Sequence, residues 1–70
     1  MKPLTVWVHA KGQRRESGWD VDTVDEAVQL VRRQWPYDFL HLIMYVTTSD
    51  DINAIVCDAR RFKRLAKNPM

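Results

Sequence analysis

Polar and apolar positions alternate at the start of this chain, switch to a helical period in the middle, and alternate again beyond it. From Leu4 to Ala10 the period is two. Leu4, Val6 and Val8 share one side and Thr5, Trp7 and His9 the other, which predicts a β-strand. The Leu4/Val6/Val8 side is the natural core side. Trp7 then lies beside His9 on the opposite face, where exposed large apolar groups often mark an interface. Lys11 to Ser17 is polar and mostly charged, and Gly12 and Gly18 bracket it, as a hairpin loop requires. Trp19 and Val21 then alternate with Asp20 and Asp22. This predicts a second short strand, antiparallel to the first, with both aspartates toward solvent.

The period changes at Thr23. Thr23-Val24-Asp25-Glu26 fits a capping box: the Thr23 hydroxyl accepts from the N–H three residues on, and the Glu26 carboxylate reaches back to the N–H of Thr23. Val24, Ala27, Val28, Val31 and Trp35 follow at helical spacing, with Leu30 at the edge of the stripe. Asp25 and Glu26 open this helix and Arg32 and Arg33 close it, in line with the helix dipole. Pro36 disfavours helical geometry at Trp35 and should end the helix there.

Tyr37 to Thr48 returns to strand character. Leu40, Leu42, Met44 and Val46 define one face and Phe39, His41, Ile43 and Tyr45 the other. With both faces substantially apolar, the strand should be central or covered on both sides. A second face left uncovered would be a dimer or partner surface. Ser49 to Asn53 is a turn rich in Ser, Asp and Asn. The remainder supports two readings. One is a hairpin strand, Ala54 to Asp58, followed by a short basic helical turn from Arg60 to Lys67. The other is one helix from Asp50 to Lys67 capped by Ser49, since Ile52, Ile55, Val56, Ala59, Phe62 and Ala66 also keep helical spacing. Either way the class is α+β: a small antiparallel sheet, ββαββ or ββαβα, packed on the Thr23 helix.

Seventy residues make a single domain, 1–70, and the 46% of hydrophobic residues suffices for one small core. Dimerisation is one way a chain of this size completes such a core. The one cysteine, Cys57, rules out an internal disulfide and any zinc site built on paired cysteines, and is expected to be a small buried hydrophobe. With no leader-like start and no long apolar run, a soluble cytoplasmic protein without membrane contact is expected. The net charge of +2 permits a nucleic-acid partner without requiring one.

Candidate chemistry is sparse. Arg60, Arg61, Lys63 and Arg64, with Lys67 just beyond, interleave Phe62; this is either a phosphate-backbone contact or the solvated side of a helix around a buried Phe62. Arg14 and Arg15 form a second basic pair in a loop. Asp20, Asp22, Asp25 and Glu26 gather at the entry to the helix, but no loop wraps a cation there, so charge compensation at the helix start is the plainer reading. His9 and His41 lack a second metal ligand at hairpin or helical spacing. No nucleophile elbow and no phosphate-cradling glycine loop is present, so an enzyme is not expected, nor a cofactor or metal. Catalysis would need a pocket converging on His9 or His41.

In size and element order, a short hairpin from Thr5 to Val21, the capped helix Thr-Val-Asp-Glu-Ala-Val and then one long strand, the chain resembles small phage and mobile-element proteins, type I anti-CRISPR proteins among them. That resemblance implies a non-enzymatic inhibitor that binds a host nucleoprotein complex and blocks access to it. The expected function is therefore macromolecular contact with a larger protein or nucleoprotein complex. The candidate contact residues are Trp7, Arg14, Arg15, Arg60, Arg61, Lys63 and Arg64. Direct nucleic-acid binding through the basic C-terminal segment is the alternative.

Overall fold

A computed structural model of the chain describes residues 2–10, 12–38 and 41–67. It is an α+β fold of order ββαββα, with β1 at Leu4–His9, β2 at Ser17–Val21, α1 at Val24–Gln34, β3 at Ile43–Thr48, β4 at Asp51–Cys57 and α2 at Ala59–Lys67. The four strands form one antiparallel sheet in the order β2-β1-β3-β4. Both helices lie on one side of it: α1 packs on β1 and β2, and α2 packs on β3 and on α1.

The strand periodicity decides which side. Leu4, Val6 and Val8 meet Val21 and Trp19 on β2 and Val46 and Met44 on β3. Val6, Val21, Val46, Val8 and Met44 are buried beneath the helices, with Cys57 of β4 beside Val46. The expected core face is the observed one. Ala27, Val28 and Val31 bury the predicted stripe of α1, and Leu30 is partly buried at its edge. At the C-terminal end of α1, Trp35 meets Trp19 edge to face, with ring centroids 5.6 Å apart.

The cap of α1 forms with one change of register. Glu26 N–H donates to Thr23 Oγ1 at 3.1 Å, as the capping box requires. The Glu26 carboxylate accepts from the N–H of Asp22 at 2.8 Å, one residue before the one expected. That oxygen pair is drawn outward because Lys2 Nζ donates to Glu26 Oε1 at 2.7 Å and also lies 4.0 Å from Asp22 Oδ2.

Several boundaries differ from the sequence reading; β4, expected at Ala54 to Asp58 after a turn from Ser49 to Asn53, runs over Asp51–Cys57 and so begins inside that turn. The strand expected from Tyr37 begins at Ile43, because residues 36–38 turn and the N–H of His41 donates to the carbonyl of Asp38. Phe39 and Leu40, assigned to opposite faces of that strand, lie outside the described residues. β3 is central in the sheet, as expected, but helices cover only one of its faces.

The C-terminal third takes the hairpin form, and the basic turn after it is a full nine-residue helix rather than a short one. Asp58 begins α2: its carboxylate accepts from Arg61 N–H at 2.8 Å and its carbonyl from Phe62 N–H at 2.9 Å. β4 pairs irregularly. Asp51, Ile55 and Cys57 face Thr48, Thr47 and Val46, so Ile52, Asn53, Ala54 and Val56 have no partner on β3.

Phe62 anchors α2. It is the largest fully buried side chain, and Ala66 beside it is equally covered. Phe62→Ala should lower the unfolding free energy by about 3–5 kcal/mol, more than half the stability of many small domains, as read by urea denaturation.

Candidate functional site

The uncovered face of the sheet carries Thr5, Trp7 and His9 from β1, Ile43, Tyr45 and Thr47 from β3, and Gly18 and Asp20 from β2. No helix lies over it, yet Thr47 is fully buried and Thr5 almost so. Trp7 supplies the cover. Its indole Nε1–H donates to Thr47 Oγ1 at 2.9 Å on one neighbouring strand. Its benzo ring lies over Gly18 on the other, where a Cβ would stand 2.9 Å from the ring. The indole therefore bridges β2 to β3, lying across the sheet. Gly18 is required there because any side chain would lift the ring. Trp7 is half-buried, with its benzo ring against Gly18 and its indole N–H on Thr47.

Tyr45, which pairs with Trp7 across β1 and β3, reaches over in the same way. Its hydroxyl donates to Glu16 Oε2 at 2.6 Å, just before β2. Burial, and then the bond to the Glu16 carboxylate, push the Tyr45 phenol up to about 12. Thr5 Oγ1 donates to Asp20 Oδ1 at 3.0 Å and lies 3.1 Å from Ser49 Oγ, which donates to the Lys2 carbonyl at 2.8 Å. His9 Nε2 is 2.7 Å from the Gln13 carbonyl, which holds the β1–β2 loop against the strand. Two aromatic rings, each tethered by a polar atom, thus tile the open face. Ile43 and Ile55 flank them on the β3–β4 side, 55% and 59% exposed.

The second surface is the outside of α2. Five of its nine residues, Arg60, Arg61, Lys63, Arg64 and Lys67, are cationic, exposed and without an intervening acid. At 3.6 residues per turn, Arg60, Arg64 and Lys67 lie opposite the buried Phe62 and Ala66, and Lys63 sits on one flank. Arg61 sits at the flank nearest Cys57, whose thiol is pushed up by burial and, more weakly, by Asp58, and drawn down by Arg61. Among the described residues none of these five cations forms an ion pair. Arg32 of α1 donates to the Ala66 carbonyl in the last turn of α2 and ties the two helices together.

The candidate residues thus separate. Trp7 belongs to the open face. Arg14 and Arg15 are exposed on the β1–β2 loop, on the β2 side of the sheet. Arg60, Arg61, Lys63 and Arg64 lie on α2, which follows β4 in the chain and packs on β3 and α1. Sequence reasoning missed the tethers Thr47, Glu16 and Asp20, and missed Lys2 as the counter-cation of the acidic corner. Lys2 draws the Glu26 carboxyl below its usual range, chiefly through their hydrogen bond, and is itself raised by that bond.

A hollow of about 370 Å³ lies at His41, lined by Ala10, Trp35, Asp38, His41 and Leu42, and among the described residues it brings no Ser, Cys or Lys nucleophile beside the imidazole. Among the described residues no three His, Cys, Asp or Glu side chains converge to hold a metal ion. Nor, among them, is any helix long and apolar enough to cross a membrane.

Because the folded protein holds the Tyr45 proton more tightly than the unfolded chain, the tether stabilises the fold below the ordinary tyrosine range, near pH 10. That stability is lost as pH rises toward 12. An absorbance titration at 295 nm should show the Tyr45 phenolate forming near pH 12, and Glu16→Gln should bring it down. No family model matches this chain, and neither a curated protein nor a solved structure matches it.

Proposed function

We propose that this chain is a non-enzymatic contact protein and that the outer face of α2 engages a polyanion, the phosphate backbone of a nucleic acid. The observation that carries this reading is the placement of Arg60, Arg64 and Lys67 opposite the buried side of the helix and of Lys63 and Arg61 on its flanks, all exposed and with no acid among them.

Stability alone does not account for that placement. Arg60 and Arg61 occupy the first turn, where the helix dipole opposes positive charge. Arg60 with Arg64, and Lys63 with Lys67, are like-charged pairs four residues apart. Together these choices cost about 1–3 kcal/mol relative to a helix that interleaves glutamates. Asp58 as the capping residue offsets part of it. Phosphates would meet the cations directly and release counterions on doing so. A small domain bound this way acts by occupancy. On a nucleoprotein complex it would deny access to the nucleic acid, which is the mode implied by the likeness in size and element order to phage-borne inhibitors.

A second reading, contact with a protein through the Trp7 face, is favoured by a different observation: a tethered, partly exposed tryptophan on a face no helix covers. Arg14 and Arg15 would stand at its margin.

Fluorescence anisotropy with labelled single- and double-stranded oligonucleotides separates the two readings. The α2 reading expects log affinity to fall linearly with log salt concentration, with a slope of roughly −3 to −4 for about four phosphate contacts. Lys63→Glu/Lys67→Glu should weaken binding across all sequences and flatten that slope by about 2. Absence of binding, or binding indifferent to salt and to these substitutions, would overturn it in favour of the protein contact.

A further inference from the structure

The open sheet face has a charge pattern of its own, independent of α2. Gly18 and Asp20 lie two apart on β2 and point to this face, about 7 Å apart, and Glu16, just before the strand, reaches the same face through its bond from Tyr45. Gly18 seats the Trp7 indole, with Asp20 two residues on along the same face. Each carboxylate uses one oxygen in a bond to the sheet: Asp20 Oδ1 accepts from Thr5 and Glu16 Oε2 from Tyr45. Both residues are exposed. The exposed part of the indole therefore offers a π surface, negative at its face, near the carboxylates of Asp20 and Glu16. Across the sheet, Ile43 and Ile55 are exposed on the same face.

We propose that this face binds a basic segment of a protein partner, with one arginine or lysine side chain laid over the Trp7 indole beside Asp20. A cation is attracted both by the ring face and by the carboxylate, and its aliphatic stem suits the ring's apolar surface. Ile43 and Ile55 would take apolar residues of the same segment. Charge selects this occupant over an unpaired nucleic-acid base, because the phosphates on either side of a stacked base would meet Glu16 and Asp20. Asp20 is the favoured carboxylate of the two. It lies at the end of the β1–β2 ladder away from the loop, whereas Arg14 and Arg15 stand next to Glu16 and would repel a second cation. Lys2, the cation near Asp20, has its ammonium held by Glu26.

The side chains are already in position. The bond to Thr47 and the contact with Gly18 fix the indole, and the bond from Thr5 fixes Asp20, so little ordering cost remains at binding.

The test is an NMR titration of the full chain, labelled with nitrogen-15, that follows the Trp7 indole N–H, assigned by its loss in Trp7→Phe. The probes are a peptide of alternating arginine and glycine, its glutamate counterpart and an oligothymidine. The expected result is a saturable shift of the Trp7 resonance with the arginine peptide alone. Asp20→Asn keeps an acceptor for Thr5 and should weaken that binding about tenfold. Glu16→Gln, read in parallel in case the first variant fails to fold, should weaken it by less. Lys63→Glu/Lys67→Glu should leave it intact, which keeps the outcome separate from that of the α2 reading. A Trp7 resonance that does not move, that moves equally with the glutamate peptide, or that moves with the oligothymidine instead would overturn the proposal. So would wild-type affinity in both carboxylate variants.

Discussion

A four-stranded sheet has two faces, and this chain supplies helices for one of them. The other features follow from that shortage. The covered face can be built from Val, Met, Cys and Phe. The uncovered face must satisfy its own polar groups and shield its own backbone with side chains drawn from the sheet itself. Laying the Trp7 indole from β2 to β3 does both: it covers Gly18 and Thr47 and uses the Thr47 hydroxyl as its tether. The hydroxyl of Thr47 in turn donates to the carbonyl of Thr48, so the buried oxygen has a partner for each of its roles. An isoleucine at position 7 would shield less and could not make that bond.

The helical side meets a different constraint. α2 has a narrow apolar stripe, Phe62 and Ala66 with Leu65 beside them, and everything else on it is polar. Such a helix forms because the protein holds it: the side chain of Phe62 beneath, Asp58 at its start and Arg32 of α1 at its end. Isolated, nine residues with five like charges would not be helical. Packing energy from one phenylalanine thus sustains a charge arrangement that works against the helix carrying it.

The elements governed by local period were legible in the sequence. β1, β2 and α1 rest on spacing and on a cap, and the core face of β1 was identifiable from Leu4, Val6 and Val8. The conformation of residues 50–67 was open, because Ile55, Val56, Phe62 and Ala66 satisfy both periods. The fold decides it through β3, whose second edge takes β4 as a partner, and through Asp58, which caps a helix starting only at Ala59. The start of β3 was misplaced because apolar residues at 42 and 43 extend the alternation across a turn. The candidate sites divide the same way. The cations of α2 were visible as a run. The Trp7 floor was not, since its tethers span 40 residues from Trp7 to Thr47 and 29 from Glu16 to Tyr45, and no local pattern records them.

The irregular ladder of β4 bears on how the molecule meets other chains. Ile52, Ile55 and Val56 are exposed along an edge strand, an arrangement that ordinarily invites lateral growth of the sheet. Uniform growth needs amides and carbonyls at an even spacing. Three successive residues without a partner on β3, and a fourth at Val56, break that spacing. An incoming strand could match only a short run before losing phase. The bulges thus let an apolar rim remain open to solvent while withholding the template that amyloid-like stacking requires.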